Sequence, residues 1–211
     1  MGESYGRRMT FAGKYLDQVA TVARQVDARM VERMATALAE IRARGGRLFF
    51  LGVGGGAGHA SHAVNDFRKL AGIECYAPTD NVSELTARIN DEGWDGAFRA
   101  WLEGSRLSAR DGVFIFSVGG GSEDQRISVI IVNAVNLAKA VGATVLGVVG
   151  RDGGYTSRMG DAVLVIPTVD PELVTPHTEA FQAVIWHLLV SHPLVALHRG
   201  KWESVRTGAS I

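Results

Sequence analysis

Two histidines, an aspartate and a glutamate stand at spacings that suit a metal ion or a proton relay. In "GHASHAVND" (58–66), His62 and Asp66 are four residues apart and share one face of a helix. His59, three residues before His62, partly shares that face. In "TEAFQAVIWH" (178–187), Glu179 and His187 are eight apart. Eight helical residues turn through about 800°, which leaves the two side chains about 80° apart around the axis and about 12 Å apart along it. Each can reach roughly half that distance, so the two pairs converge if their helices pack side by side. Two imidazoles and two carboxylates suit Zn²⁺, and also Mn²⁺ or Fe²⁺. The same groups can carry protons. Ordinary structure offers competing readings: a hydrogen bond along a helix face for His62 and Asp66, and a core imidazole on a carbonyl for His187.

Such convergence needs a rigid scaffold, and the hydrophobic pattern supplies one. Nearly continuous apolar runs at 47–53, 73–79, 113–118, 144–149 and 162–167 predict strands buried on both faces. Helix-length segments separate most of them, at 57–70, at 81–92 with 95–104, and at 123–141. A last helix is predicted from Pro176 to Leu189. Before the first strand, "TFAGKYLDQVATVARQV" and "MVERMATALAEIRAR" carry apolar residues three and four apart and predict two helices, the second stopped at Gly45-Gly46. Strands alternating with helices predict an α/β fold, a doubly wound five-stranded parallel sheet with helices on both faces. The expectation is one domain over 1–211, with N-terminal helices at 8–44, an α/β core at 46–192 and a tail at 193–211.

Two glycine-rich turns occupy predicted strand ends: "GVGGGAG" (52–58) and "SVGGGSED" (117–124), each expected to lead directly into a helix. Unpaired N–H groups and the helix dipole welcome an anion there, and glycine lets backbone approach it closely. Dinucleotide binding is a weak alternative, because the string from Gly52 breaks at its last position and the acidic residue offered after the second strand, Asp80, is displaced by several residues from where a ribose would be held. Arg126 is expected one turn into the following helix, as a phosphate contact. Arg68-Lys69 read as a solvated helix face, "GRDGG" (150–154) as a structural turn, and Trp94, Trp101 and Trp186 as packing or interface residues.

Composition narrows the function classes. Lys plus Arg equals Asp plus Glu at 22 each, so no net field draws nucleic acid or an anionic membrane. The single cysteine, Cys75, lies in an apolar stretch and reads as a core thiol. "AVIWHLLVSHPLVAL" contains two histidines and a proline, which makes a poor membrane span. With no apolar signal-peptide core in "MGESYGRRMTFAGKYL", a cytoplasmic protein is expected.

The order of blocks, from the first glycine turn through "NDEGWDGAF" (90–98), "FSVGGGS" (116–122) and "VLGVVGRDGG" (145–154) to the last helix, resembles the sugar isomerase (SIS) fold. Over residues 10–192 it is similar to the phosphoheptose isomerases, which act on sedoheptulose 7-phosphate. The resemblance implies a bound Zn²⁺ held by His62, Asp66, Glu179 and His187. The family places glutamate and glutamine where this chain has Asp66 and Glu179. It implies substrate contacts from Val53, Gly54, Gly55 and Gly56, from Asn90 and Asp91, and from Asp66 and Glu179. The phosphate turn corresponds to Ser117, Val118, Gly119 and Ser122, with two family hydroxyls replaced by Val118 and glycine. A homotetramer with sites at subunit boundaries is also implied. The function expected is aldose–ketose isomerisation of a phosphorylated sugar through a cis-enediol, with Asp66 as base and His187 as partner acid/base. The alternative is a non-catalytic sugar-phosphate-binding or assembly protein.

Overall fold

The computed structural model describes residues 10–204. Helices α1 (Phe11–Gln25) and α2 (Ala28–Ala43) come first. Then follow β1 (Leu48–Gly52), α3 (Gly55–Ala71), β2 (Cys75–Tyr76), α4 (Val82–Gly104), β3 (Gly112–Ser117) and α5 (Val129–Val141). The chain continues through β4 (Thr144–Val149), α6 (Gly154–Met159), β5 (Ala162–Val165), α7 (Val174–Ser191) and a short α8 (Lys201–Ser204). Residues 8–9 of the expected first helix and 205–211 of the expected tail lie outside the described residues.

All five strands are parallel, in the order β2-β1-β3-β4-β5. Alternate residues serve opposite faces, as the period of two requires. Phe50, Phe114, Phe116, Leu146 and Val148 meet α2, α3 and α7 on one face. Phe49, Leu51, Val113, Ile115 and Val145 meet α4 and α5 on the other. Because the helices change sides between β1 and β3, the connections diverge there and open the crevice where doubly wound sheets bind ligands. Both glycine turns stand at that crevice.

Local chemistry shifted several predicted boundaries. The second strand shrinks from 73–79 to two residues, because Pro78 has no N–H to donate and starts a 3₁₀ turn, Pro78–Asp80. The two segments expected at 81–92 and 95–104 do lie on either side of Gly93, whose non-helical φ of 74° and ψ of 165° make α4 two helical stretches meeting at a kink. The last helix starts earlier and ends later than 176–189. The largest correction concerns the second glycine turn. No helix follows it directly; α5 begins only at Val129. Ser122 and Ile127 instead exchange backbone hydrogen bonds and close a loop, with Ser122 Oγ accepting from Gln125 N–H. Arg126, expected on a helix, lies in that loop at φ 52° and pairs with Asp95.

A buried ion pair ties the amino ends of β1 and β3. Asp111 accepts from the Arg47 backbone and guanidinium and from the N–H and hydroxyl of Ser108. Burial opposes ionisation of Asp111, yet these donors together hold its carboxyl below the ordinary range. Asp111→Ala should therefore cost roughly 3 kcal/mol, since it strands a partly buried guanidinium. A depressed folded pKa means the stabilisation is present above the unfolded value of about 3.9 and is lost as pH falls through the lower folded value. Urea melts of wild type and Asp111→Ala should differ at pH 7 and converge in acid.

Candidate functional site

Helices α3 and α7 lie side by side, running the same way from the sheet's carboxyl edge. Along their groove the polar residues fall into two layers. The lower layer brings together His62, Asp66 and His187, with one ligand atom from each within 4.8 Å of the others. His62 Nε2 lies 4.0 Å from Asp66 Oδ2, and His187 Nε2 lies 3.9 Å from the same oxygen.

Each group is aimed by a neighbour. His187 Nδ1 donates to Ala183 O at 2.7 Å, which fixes the tautomer and turns the Nε2 lone pair towards Asp66. Asn65 Nδ2 donates to Asp66 Oδ1 at 2.7 Å and leaves Oδ2 to the imidazoles. His62 leans on the buried indole of Trp186, 4.7 Å between ring centres, and His187 stacks on the same indole at 3.4 Å. Sequence reasoning missed Asn65 and the positioning role of Trp186, because adjacency along a helix says little about which side chains meet.

Two borderline-soft nitrogens and a hard oxygen form a donor set that fits a divalent cation, with room for further ligands on the solvent side. Glu179 does not join this group, contrary to expectation. It sits about two turns earlier on α7, in the upper layer, against the start of α3. A Cβ placed on Gly55 would stand 2.5 Å from Glu179 Oε2, so only glycine permits this contact. The carboxylate thus rests at the positive end of the α3 dipole. Its near neighbour is His59, whose pKa is lowered by burial, with the charge of Glu179 partly opposing. With about 12 Å of axial separation from His187, the Glu179 side chain lies towards Gly55 rather than towards the His62–Asp66–His187 cluster.

The remaining expected contacts are dispersed. Val53, Gly54 and Gly55 are exposed at the first turn, whereas Gly56 is buried against Phe116 O. Asn90 and Asp91 are exposed just before the Gly93 bend and hydrogen-bond each other. Val118 and Gly119 are half-buried, and Ser117 Oγ accepts from Gly120 N–H within the second turn. Arg68 lies over Tyr76 on the surface, 5.7 Å from the ring centre, as a solvated face would. Trp101 and Trp186 are buried in the core, and burial pushes the Cys75 thiol up, which leaves it inert.

Gly55→Ala should move Glu179 while leaving stability within about 0.5 kcal/mol, since the position is an exposed first helical residue. Glu179 raises the His59 pKa, so its displacement should lower that pKa further, which proton NMR titration of the His59 ring reads directly.

Fold and site together define a parallel α/β domain of the sugar-isomerase type with a cation-competent acid–base cluster. No family model matches the chain. A phosphoheptose isomerase of Pelobacter propionicus is 31% identical over 173 residues, covering 80% of this chain and 85% of that protein. The lincomycin biosynthesis protein LmbN of Streptomyces lincolnensis is 33% identical over 164 residues, but this chain spans only 56% of its length. Among solved structures, a phosphoheptose isomerase from Neisseria gonorrhoeae superposes with a TM-score of 0.75 at 21% identity, covering 85% of this chain and 96% of that one, a likeness of fold. The chain belongs to the phosphoheptose isomerase family. No helix among the described residues is long and apolar enough to cross a membrane.

Proposed function

We propose that the protein is a cytoplasmic aldose–ketose isomerase that converts sedoheptulose 7-phosphate to D-glycero-D-manno-heptose 7-phosphate. The single observation that supports this most is the convergence of His62, Asp66 and His187 beside a glycine-lined crevice. In this reading Asp66 takes a proton from C1 of the ketose and returns it to C2. His187 Nε2 receives the O1 proton and hands it to O2, so the double bond migrates through a cis-enediol with atoms and charge balanced. The Nδ1–H bond to Ala183 keeps Nε2 free for that exchange.

A divalent cation, Zn²⁺ in this proposal, would be held by His62, Asp66 and His187 and would supply charge stabilisation to the sugar oxygens. Coordination and proton transfer compete for Asp66 and equally for His187 Nε2, whose single lone pair serves one or the other at a time. The turns at 53–56 and 117–122, with Asn90, Asp91 and Glu179, contact the substrate, and a homotetramer completes the exposed face. Turnover of a phosphoheptose panel, with and without added Zn²⁺, tests the reading. Inactivity of wild type on every sugar phosphate under both conditions refutes it.

A further inference from the structure

Around the second glycine turn, backbone rather than ligand explains part of the glycine content. Tyr155 and Thr156 N–H groups at the start of α6 donate to Gly121 O and Gly120 O, so those donors are consumed and offer nothing to an anion. Ser117 and Ser122 hydroxyl oxygens accept from the loop's own backbone, which leaves each with one neutral O–H to donate and no charge. A dianionic phosphate monoester placed here needs charge from elsewhere.

The fold supplies it. A small cavity of about 120 Å³ lies between the second turn and the loop after β4, lined by Gly119, Gly121, Ser122, Gln125, Arg151 and Arg158 among others. Its volume is well below the roughly 300 Å³ of ordinary small-molecule pockets, which suits one oxyanion rather than a whole sugar. Neither guanidinium has an acidic partner among the described residues; Arg158 only overlies the Tyr155 ring. One carboxylate, Asp152, also lines the cavity, with Oδ1 accepting from Gly154 N–H at 3.3 Å. Two guanidiniums against one carboxylate leave the cavity cationic.

Backbone geometry adds an independent argument. Arg151 holds φ 54°, a left-handed conformation that costs a non-glycine residue free energy, in a loop whose neighbours at 150, 153 and 154 are all glycine. A side chain kept where glycine would sit without strain points to use of that side chain. Arg151 also walls the larger cavity outside the carboxyl ends of β3, β4 and β5, beside Val118. It can therefore grip an anion whose attached chain extends into that crevice.

We infer that Arg151 and Arg158 bind the phosphate group of the substrate in place of the hydroxyls missing from the second glycine turn, and so set the preference for phosphorylated sugars. The inference rests on the isomerase reading only for the identity of the phosphate's carrier. Charge-assisted bonds of this kind predict a 10- to 100-fold rise in KM for the sugar phosphate in Arg151→Gln/Arg158→Gln, with the smaller part of the loss in kcat. Inhibition by inorganic phosphate should weaken in parallel, and Arg151→Lys should recover part of both. Arg151→Gly should keep or raise Tm while weakening phosphate binding, a combination that a merely structural arginine would not give. Unchanged KM and unchanged phosphate inhibition in the folded double variant overturn the inference, as does a loss confined to kcat. If wild type binds inorganic phosphate through these arginines, as calorimetry on both proteins would read, yet turns over no sugar phosphate, the inference stands and the isomerase reading falls.

Discussion

His187→Ala should lower kcat for sedoheptulose 7-phosphate by about 10³-fold, the usual worth of a positioned proton carrier, while Tm barely moves. The stability side follows from exposure: the side chain is 53% exposed, and its ring contacts are with Trp186 and His62. The activity side follows from orientation. The Nδ1–H bond to Ala183 leaves Nε2 as the one nitrogen facing Asp66, so no other atom of α7 can replace it at that point. Asp66→Asn should match the loss, because an amide of equal size cannot accept the C1 proton. Asp66→Glu restores the carboxylate with one more methylene and should retain measurable turnover. Steady-state rates with circular dichroism and thermal melts on the same samples separate chemistry from folding. His187→Ala or Asp66→Asn keeping a tenth or more of wild-type kcat contradicts the assigned roles.

The second large effect concerns stability. Gly154→Ala should cost about 3 kcal/mol or more, because it combines overpacking against backbone with a left-handed φ of 53°. An added Cβ would fall on Gly119 O and Gly121 O, inside van der Waals contact, and neither oxygen belongs to a side chain that can swing away. Gly120→Ala meets Gly153 O in the same way from the other side. The two loops interlock through Gly150 N–H to Val118 O, Tyr155 N–H to Gly121 O and Thr156 N–H to Gly120 O, so relief at one position strains the next. At this chain length about 3 kcal/mol corresponds to a Tm roughly 6–12 °C lower, read by differential scanning calorimetry. Gly58→Ala is the control, since nothing lies within 4 Å of its would-be Cβ and the change should be small.

Those loops show where sequence reading succeeds and where it stops. The doubly wound sheet was legible because strands buried on both faces are written as unbroken apolar runs, and "RLFFLGV" and "TVLGVV" admit few other readings. His62 and Asp66 were legible for a similar reason, since four residues on one helix is a fixed geometry. Where Glu179 lies, outside the three-residue cluster and against Gly55, depends on how α7 slides along α3, a tertiary quantity that spacing within one helix cannot supply. The stretch "EDQRIS" (123–128) was read as helix, yet the Ser122–Ile127 pairing outcompetes a helical first turn there. Serine side chains that bond their own backbone favour such loops. Arg151 carried no signal in sequence, because neither its φ nor the cavity it shares with Arg158 exists before the two loops meet.

Isomerisation in D₂O tests the proton-transfer account most directly. With wild type converting sedoheptulose 7-phosphate, NMR of the aldose product should show solvent deuterium at C2, and Asp66→Asn should abolish both conversion and labelling. Product formed at wild-type rate with no deuterium at C2, or labelling that persists in Asp66→Asn, would contradict it.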